Sequence, residues 1–248
     1  TILPLYPATC DQSTTINIGK IRKQGIELSA TVTPVVTKDF NWDMTLTFSR
    51  NTPEVLDLGG TLQEVQITGF GAALGNYAIV GKPFNIIKGT GYRRNEAGQV
   101  LVDATGNLIS TASPIILGDP NPAFNTGLIN GITYKGFSFD FMLTYRHGGA
   151  IYSSTAGALM GRGLTEDTGL AAGYDRSHTF LFPGVKADGQ PNDIQVTASD
   201  VGFNNLYFFG DEGRIYDAST IRLQEVSLTY SLPQKLLAKT PFKTLSLA

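Results

Sequence analysis

At 248 residues with 16% charged side chains and a formal net charge of −2, the chain has room for one large β-domain or two ordinary ones, and no basic stripe of the kind nucleic acid requires. Its single cysteine, Cys10, excludes an internal disulfide and a cysteine-based zinc site and reads as a loop residue. No apolar run approaches the ~18 residues of a membrane helix.

The first patterned stretch, residues 25–51, reads as a long hairpin. Its first arm puts Ile26, Leu28, Ala30 and Val32 on one face and Glu27, Ser29, Thr31 and Thr33 on the other. After a connection over residues 34–39, the second arm, FNWDMTLTFSRN, splits completely. Phe40, Trp42, Met44, Leu46 and Phe48 form one row, and Asn41, Asp43, Thr45, Thr47 and Ser49 the other. A long connection, residues 52–123, follows. Within it, NIIKGTGYRRNEAGQVLVDATGNLI alternates around two glycine turns, Ala97-Gly98 and Thr105-Gly106, and predicts a small meander. Residues 127–149 predict a second hairpin with Lys135-Gly136 as its turn. Its second arm sets Phe137, Phe139, Phe141, Leu143 and Tyr145 against Ser138, Asp140, Met142, Thr144 and Arg146. Another long connection, residues 148–220, includes an irregular external loop over residues 180–209, rich in Pro, Gly, Asn and Asp. A third hairpin opens with Val226, Leu228 and Tyr230 opposite Glu225, Ser227 and Thr229 and turns over residues 233–241. No segment shows a sustained 3.6-residue stripe, and residues 236–239 predict one helical turn at most.

Each arm runs for roughly ten residues, the length of a tilted strand that crosses a bilayer, against about five or six for a soluble strand. Aromatics recur beside the short turns: Phe40 and Trp42, then Tyr134 and Phe137, then Tyr230. The connections within pairs are short and those between pairs are long. Together these features predict an all-β fold, an antiparallel transmembrane β-barrel portion with aromatic girdles and long extracellular loops. The start at Thr1 and the end at Leu247-Ala248, within an apparent strand, lead us to expect a longer parent chain.

Signs of covalent chemistry are poor. His147 and His178 are the only histidines, and His147, beside Gly148 at a strand end, reads as a rim residue. There is no Gly-x-Ser-x-Gly elbow and no paired-histidine metal motif. GTGYRR lacks the third glycine and the helix of a phosphate loop. DATGN and DGQPND lack the spacing and closing glutamate of an EF-hand, so no cofactor is expected, with calcium in a loop the one exception left open. Glu27, Asp43, Asp140 and Glu225 fall on polar strand faces. In a soluble sandwich they would face water; in a barrel they are expected to line a wet lumen and pair with Arg146, Arg222 or, if the family resemblance below holds, its plug.

Three blocks carry a family resemblance: NIGKIRKQGIELSATV, LGDPNPAFNTGLINGITYKGFSFDFMLTYRHGGAIY and IRLQEVSLTYSLP. Their order and wording resemble the SusC/RagA family of TonB-linked outer-membrane transporters of Bacteroidetes-type bacteria, over about residues 14–248. The resemblance implies that residues 1–248 are a C-terminal part of a barrel of about 22 strands, contributing roughly six to ten of them, with the plug domain and the final strands absent. It implies a multi-pass protein of the bacterial outer membrane, no enzyme, that imports a glycan fragment or oligopeptide. Its partners would be a SusD-like surface lipoprotein, TonB acting through the absent plug, and outer-membrane lipid, with no nucleic acid. Phe40, Trp42, Met44, Leu46, Phe48, Phe137, Phe139, Phe141, Leu143 and Tyr145 would then face lipid. Ligand contacts are expected from external loops, at Tyr174, Arg176, Asn205, Tyr207 and Arg214. The alternatives are a soluble or secreted all-β glycan-binding module and, behind it, a β-type glycoside hydrolase, for which the sequence offers no marked carboxylate pair.

Overall fold

The computed structural model describes residues 2–4, 13–15, 19–70, 73–162, 164–165, 179–197 and 210–248. In chain order the strands are β1 (Ile2–Pro4), β2 (Ser13–Thr15), β3 (Lys20–Val36), β4 (Phe40–Asp57), β5 (Glu64–Phe70), β6 (Leu74–Ile79), β7 (Ile86–Gly89), β8 (Ile115–Gly118), β9 (Phe124–Tyr134), β10 (Phe137–His147) and β11 (Ala150–Tyr152). Helix α1 (Ser154–Gly161) follows, then β12 (Thr179–Phe180), β13 (Val196–Thr197), β14 (Ile215–Asp217), β15 (Thr220–Ser231), the single turn α2 (Gln234–Leu237) and β16 (Ser246–Leu247). The chain divides into two compact units. One comprises Thr1–Arg22, Pro53–Pro120 and Ala150–Asp217, the other Lys23–Thr52, Asn121–Gly149 and Ala218–Ala248.

The second unit is built on an antiparallel meander in the order β16-β15-β10-β9-β4-β3. β3 and β4 are 17 and 18 residues long, and β9 and β10 are 11 each, far beyond the usual soluble strand. Thr31 and Thr45 hydroxyls meet at 2.9 Å and the Thr33 hydroxyl donates to Asp43 at 2.7 Å, which fixes β3 against β4 with the polar sets on one face. Register then carries that assignment across the sheet. Phe40, Tyr134, Phe137 and Tyr230 lie in one row, and Leu46, Leu128, Leu143 and Leu223 in another. At the β9–β10 turn, Lys135 and Gly136 have φ of 45° and 90°, the paired left-handed conformation of the tightest hairpin.

The apolar rhythm of β15 slips phase between Leu223 and Val226. A bulge opposite Met142/Leu143 absorbs the extra residue, Gln224, so that Ile221, Leu223, Val226 and Leu228 all stay on the apolar face. The helical turn in the last connection lies at Gln234–Leu237, two residues earlier than the pattern predicts, where Pro233 precedes its first residue.

The first unit holds a four-stranded sheet, β5-β6-β7-β8. Val55, Leu58 and Ala78 are buried together, with Leu62, Val65, Val80 and Phe84 packed around them. Residues 90–111 form the expected meander. Gly98 N–H closes on the Asn95 carbonyl at 3.0 Å and Gly106 N–H on the Asp103 carbonyl at 3.1 Å, both glycines having positive φ. A second small core joins Val102, Phe182 and Val196. Helix α1, within the long connection over residues 148–220, corrects the expectation that the chain holds no helix beyond one turn near residues 236–239. Ser153 caps it by accepting from the Ala156 N–H at 3.1 Å, and the helix carries almost no amphipathic stripe from which to predict it.

Candidate functional site

The sheet of the second unit presents two faces of opposite chemistry. All ten residues expected to face lipid share one of them: Phe40, Trp42, Met44, Leu46 and Phe48 on β4, and Phe137, Phe139, Phe141, Leu143 and Tyr145 on β10. Between them β9 adds Leu128, Ile132 and Tyr134, and β15 adds Ile221, Leu223, Val226 and Leu228. This face is open: Leu46 is 50% exposed, Leu28 62% and Ile221 75%. Its polar members on β9, Thr126 and Asn130, each make a hydrogen bond within the sheet, while the buried Asn130 Nδ2 finds no partner among the described residues. The Thr126 hydroxyl donates to the Thr47 carbonyl at 2.7 Å, and buried Asn130 accepts from the Trp42 indole N–H at 3.2 Å.

Aromatic rings border the face at both ends. At the short-turn end Phe137 and Tyr230 lie 4.5 Å apart in the row that also holds Phe40 and Tyr134. At the other end Phe124 contacts Phe48, Tyr145 and His147 at 5.6, 5.8 and 4.9 Å, and the Tyr145 hydroxyl meets His147 Nδ1 at 2.9 Å. His147 thus belongs to a ring cluster at the strand end, as a rim residue should. Eight residues separate Phe40 from Phe48, about 26 Å along the strand. A tilt of ~40° reduces that to about 20 Å, close to the thickness of an outer-membrane apolar band.

The opposite face is polar and concave, interrupted by Ile129 and Met142. It forms a trough of about 600 Å³ whose lining includes Glu27, Thr47, Asn125, Arg146, Arg222 and Gln224. Gly127 keeps its floor open, since a Cβ there would stand 2.7 Å from Thr47 Oγ1. Asp43 is met by the Thr33 hydroxyl and the Asn41 amide, and Asp140 by the Ser138 hydroxyl at 3.1 Å. These donors are neutral, where Arg146, Arg222 or a plug was expected. A hydroxyl on the adjacent strand, or an amide or hydroxyl two positions along the same strand, reaches each carboxylate without the ordering that a long arginine needs.

In the first unit, Asp211 and Glu212 clasp a segment 120 residues earlier. Asp211 Oδ2 accepts from Thr90 N–H and Glu212 Oε2 from Tyr92 N–H, each at 2.8 Å, while Arg94 pairs with Glu212. Burial raises the Tyr92 phenol above its usual range, and the Glu212 charge adds to this. Burial also works to raise Glu212, but the Arg94 hydrogen bond and the Tyr92 N–H outweigh it and hold the carboxyl below its usual value. Arg214, expected among ligand-contacting loop residues, is buried in this knot. Its guanidinium pairs with Asp211 at 3.1 Å and lies 5.2 Å from the Tyr152 ring centre, and a Cβ on Gly157 of α1 would collide with its stem. No sequence signal marks this role, because every partner but Asp211 is distant in the chain. Tyr174, Arg176, Asn205 and Tyr207 lie outside the described residues.

In DATGN, Asp103 Oδ1 accepts from Thr105 N–H, Thr105 hydroxyl and Asn107 N–H at 2.8, 2.6 and 3.0 Å. Burial pulls its carboxyl upward, yet these donors hold it below its usual value, so this oxygen braces a turn. In DGQPND, Asp193 pairs with Lys186 at 3.0 Å. Among the described residues no group of three or more His, Cys, Asp or Glu is placed to hold a metal ion.

Comparison with known proteins fits this geometry. The chain is similar to the TonB-dependent receptor P3 of Formosa agariphila, 28% identical over 268 residues that cover 99% of this chain and 25% of that protein. It is similar to the TonB-dependent receptor SusC of Bacteroides thetaiotaomicron, 25% identical over 229 residues covering 88% of this chain and 21% of that one. The RagAB peptide transporter structure matches with a TM-score of 0.62 at 21% identity, covering 99% of this chain and 28% of that one. The chain is SusC/RagA-like. No protein-family model matches it. The SusC/RagA-like chain spans about a quarter of the length of the curated relatives it matches, and its likeness to the RagAB structure extends to the fold.

Proposed function

We propose that this chain supplies barrel wall and external loops to a TonB-dependent outer-membrane importer. The observation that carries the reading is the uncovered apolar face, continuous from β3 to β15 and bordered by aromatic rings at both ends. Such a surface is unfavourable in water and stable against hydrocarbon, while the polar face lines a wet interior. A soluble glycan-binding module would need a cover for that face, and the described residues provide none. Closure into a barrel of about 22 strands requires the rest of a longer chain, because a six-stranded sheet leaves two edges to be paired. The short turns would then face the periplasm and the long connections the cell exterior.

The work of import is conformational, with no covalent step assigned to this chain. Its cargo would be a glycan fragment or an oligopeptide, captured with a SusD-like lipoprotein at the barrel mouth. TonB would deliver energy through a plug outside this chain. The names of the relatives, TonB-dependent receptors and a peptide transporter, support this reading. Cells deleted for the full-length protein should lose uptake of one oligomeric nutrient. The wild-type gene should restore it, and collapse of the inner-membrane proton gradient should abolish it again. Uptake that persists without the gradient would refute TonB-driven import.

A further inference from the structure

The short-turn end of the sheet is strongly basic. Five of the chain's ten lysines lie in its three turns, Lys38 in residues 37–39, Lys135 in residues 135–136, and Lys235, Lys239 and Lys243 in residues 232–245. Asp39 is the one acidic residue there, although the chain as a whole is slightly acidic. The turns form a single rim: Lys135 N–H donates to the Asp39 carbonyl at 3.1 Å, and Ser231 N–H to the Gly136 carbonyl at 2.8 Å. All five lysines are exposed.

Two features decide what such a rim meets. It borders the row of Phe40, Tyr134, Phe137 and Tyr230, with the Lys135 ammonium 5.2 Å from the Tyr134 ring centre. The lysine-bearing last turn also exposes Leu236, Phe242 and Leu245 between its charges. Basic side chains interleaved with exposed apolar ones, at the level of an aromatic row, match the boundary between acyl chains and headgroups. An acidic soluble protein would match the charge but leave Leu236 and Phe242 without a counterpart. We infer that this rim binds the phosphate headgroups of anionic phospholipids in the leaflet on the short-turn side, an inference that rests on the membrane reading above.

The test uses the full-length protein in bilayers of equal phosphatidylglycerol and phosphatidylcholine, extracted in mild detergent, with retained lipids counted by native mass spectrometry. Phosphatidylglycerol should be retained about five-fold or more over phosphatidylcholine, and high salt should erase the preference. The variant K38Q/K135Q/K235Q/K239Q/K243Q should insert normally into phosphatidylcholine and retain the two lipids equally. Equal retention by an inserted wild type, or an unchanged preference in the variant, overturns the inference alone. Displacement of the lipid by equimolar inorganic phosphate, or by poly-glutamate, would reassign the rim to a free anion or an acidic polypeptide and also overturn it. A wild type that never enters bilayers refutes the membrane reading and this inference together.

Discussion

The Trp42 indole N–H donates to Asn130 Oδ1 at 3.2 Å across the β4–β9 ladder, on the apolar face of the sheet. Trp42 lies one row inside the aromatic border, where its N–H would otherwise meet no acceptor, and Asn130 supplies one while being only 4% exposed. A double-mutant cycle of Trp42→Phe and Asn130→Leu, read by denaturant unfolding of the full-length protein in vesicles, should give a coupling of about 0.5–1.5 kcal/mol. Additive single effects would mean that the bond contributes nothing.

Gly127 is required by the close approach of Thr47. Gly127→Ala should destabilise by about 1–3 kcal/mol as the new methyl displaces the Thr47 hydroxyl. Thr47→Ala in the same chain should recover most of that loss. Failure of the pair to rescue would place the strain elsewhere.

The Asp211–Glu212 clasp sets a pH window for the first unit. Glu212 is held below its ordinary value of 4.5, so its contribution is fully present above that value and fades as pH falls through the lowered folded value. Tyr92 is raised above 10.0, so its contribution holds below 10.0 and fades as pH rises through the raised value. Protease nicking of residues 90–94 should therefore be slowest between these limits and accelerate in acid. Glu212→Gln should flatten the acid limb, and an unchanged acid limb in that variant would remove Glu212 as its cause.

The two faces should tolerate charge very differently. Leu46→Arg should cost about 2–4 kcal/mol if its row lies near the bilayer midplane, whereas Thr45→Arg, on the polar face beside Thr31, should cost far less. Equal losses of folding yield in bilayers would argue against the face assignment.

Much of this architecture was legible in the residues because a strand alternates with a period of two. Phe40 to Phe48 and Phe137 to Tyr145 announce their face directly, and Lys135-Gly136 announces its turn. The same rule, applied to Leu128, Asn130, Ile132 and Tyr134, would have placed Asn130 on the apolar face. The phase slip around Gln224 likewise signals the bulge. Helix α1 gave little warning because STAGALMG has scarcely any stripe, leaving Ser153 as its only local cue. The burial of Arg214 was illegible for a different reason. Its environment depends on Tyr152 and Gly157, and on Asp211 being fixed in turn by Thr90, none of which its own neighbourhood in the sequence specifies.

Single cysteine substitutions across residues 40–48 of the full-length protein, each carrying a nitroxide in lipid vesicles, test the membrane face most directly. Collision with oxygen should peak at Phe40, Trp42, Met44, Leu46 and Phe48, and collision with a water-soluble nickel chelate at Asn41, Asp43, Thr45 and Thr47. Profiles without that alternation, or with the two sets exchanged, would contradict the assignment of hydrocarbon to the apolar face.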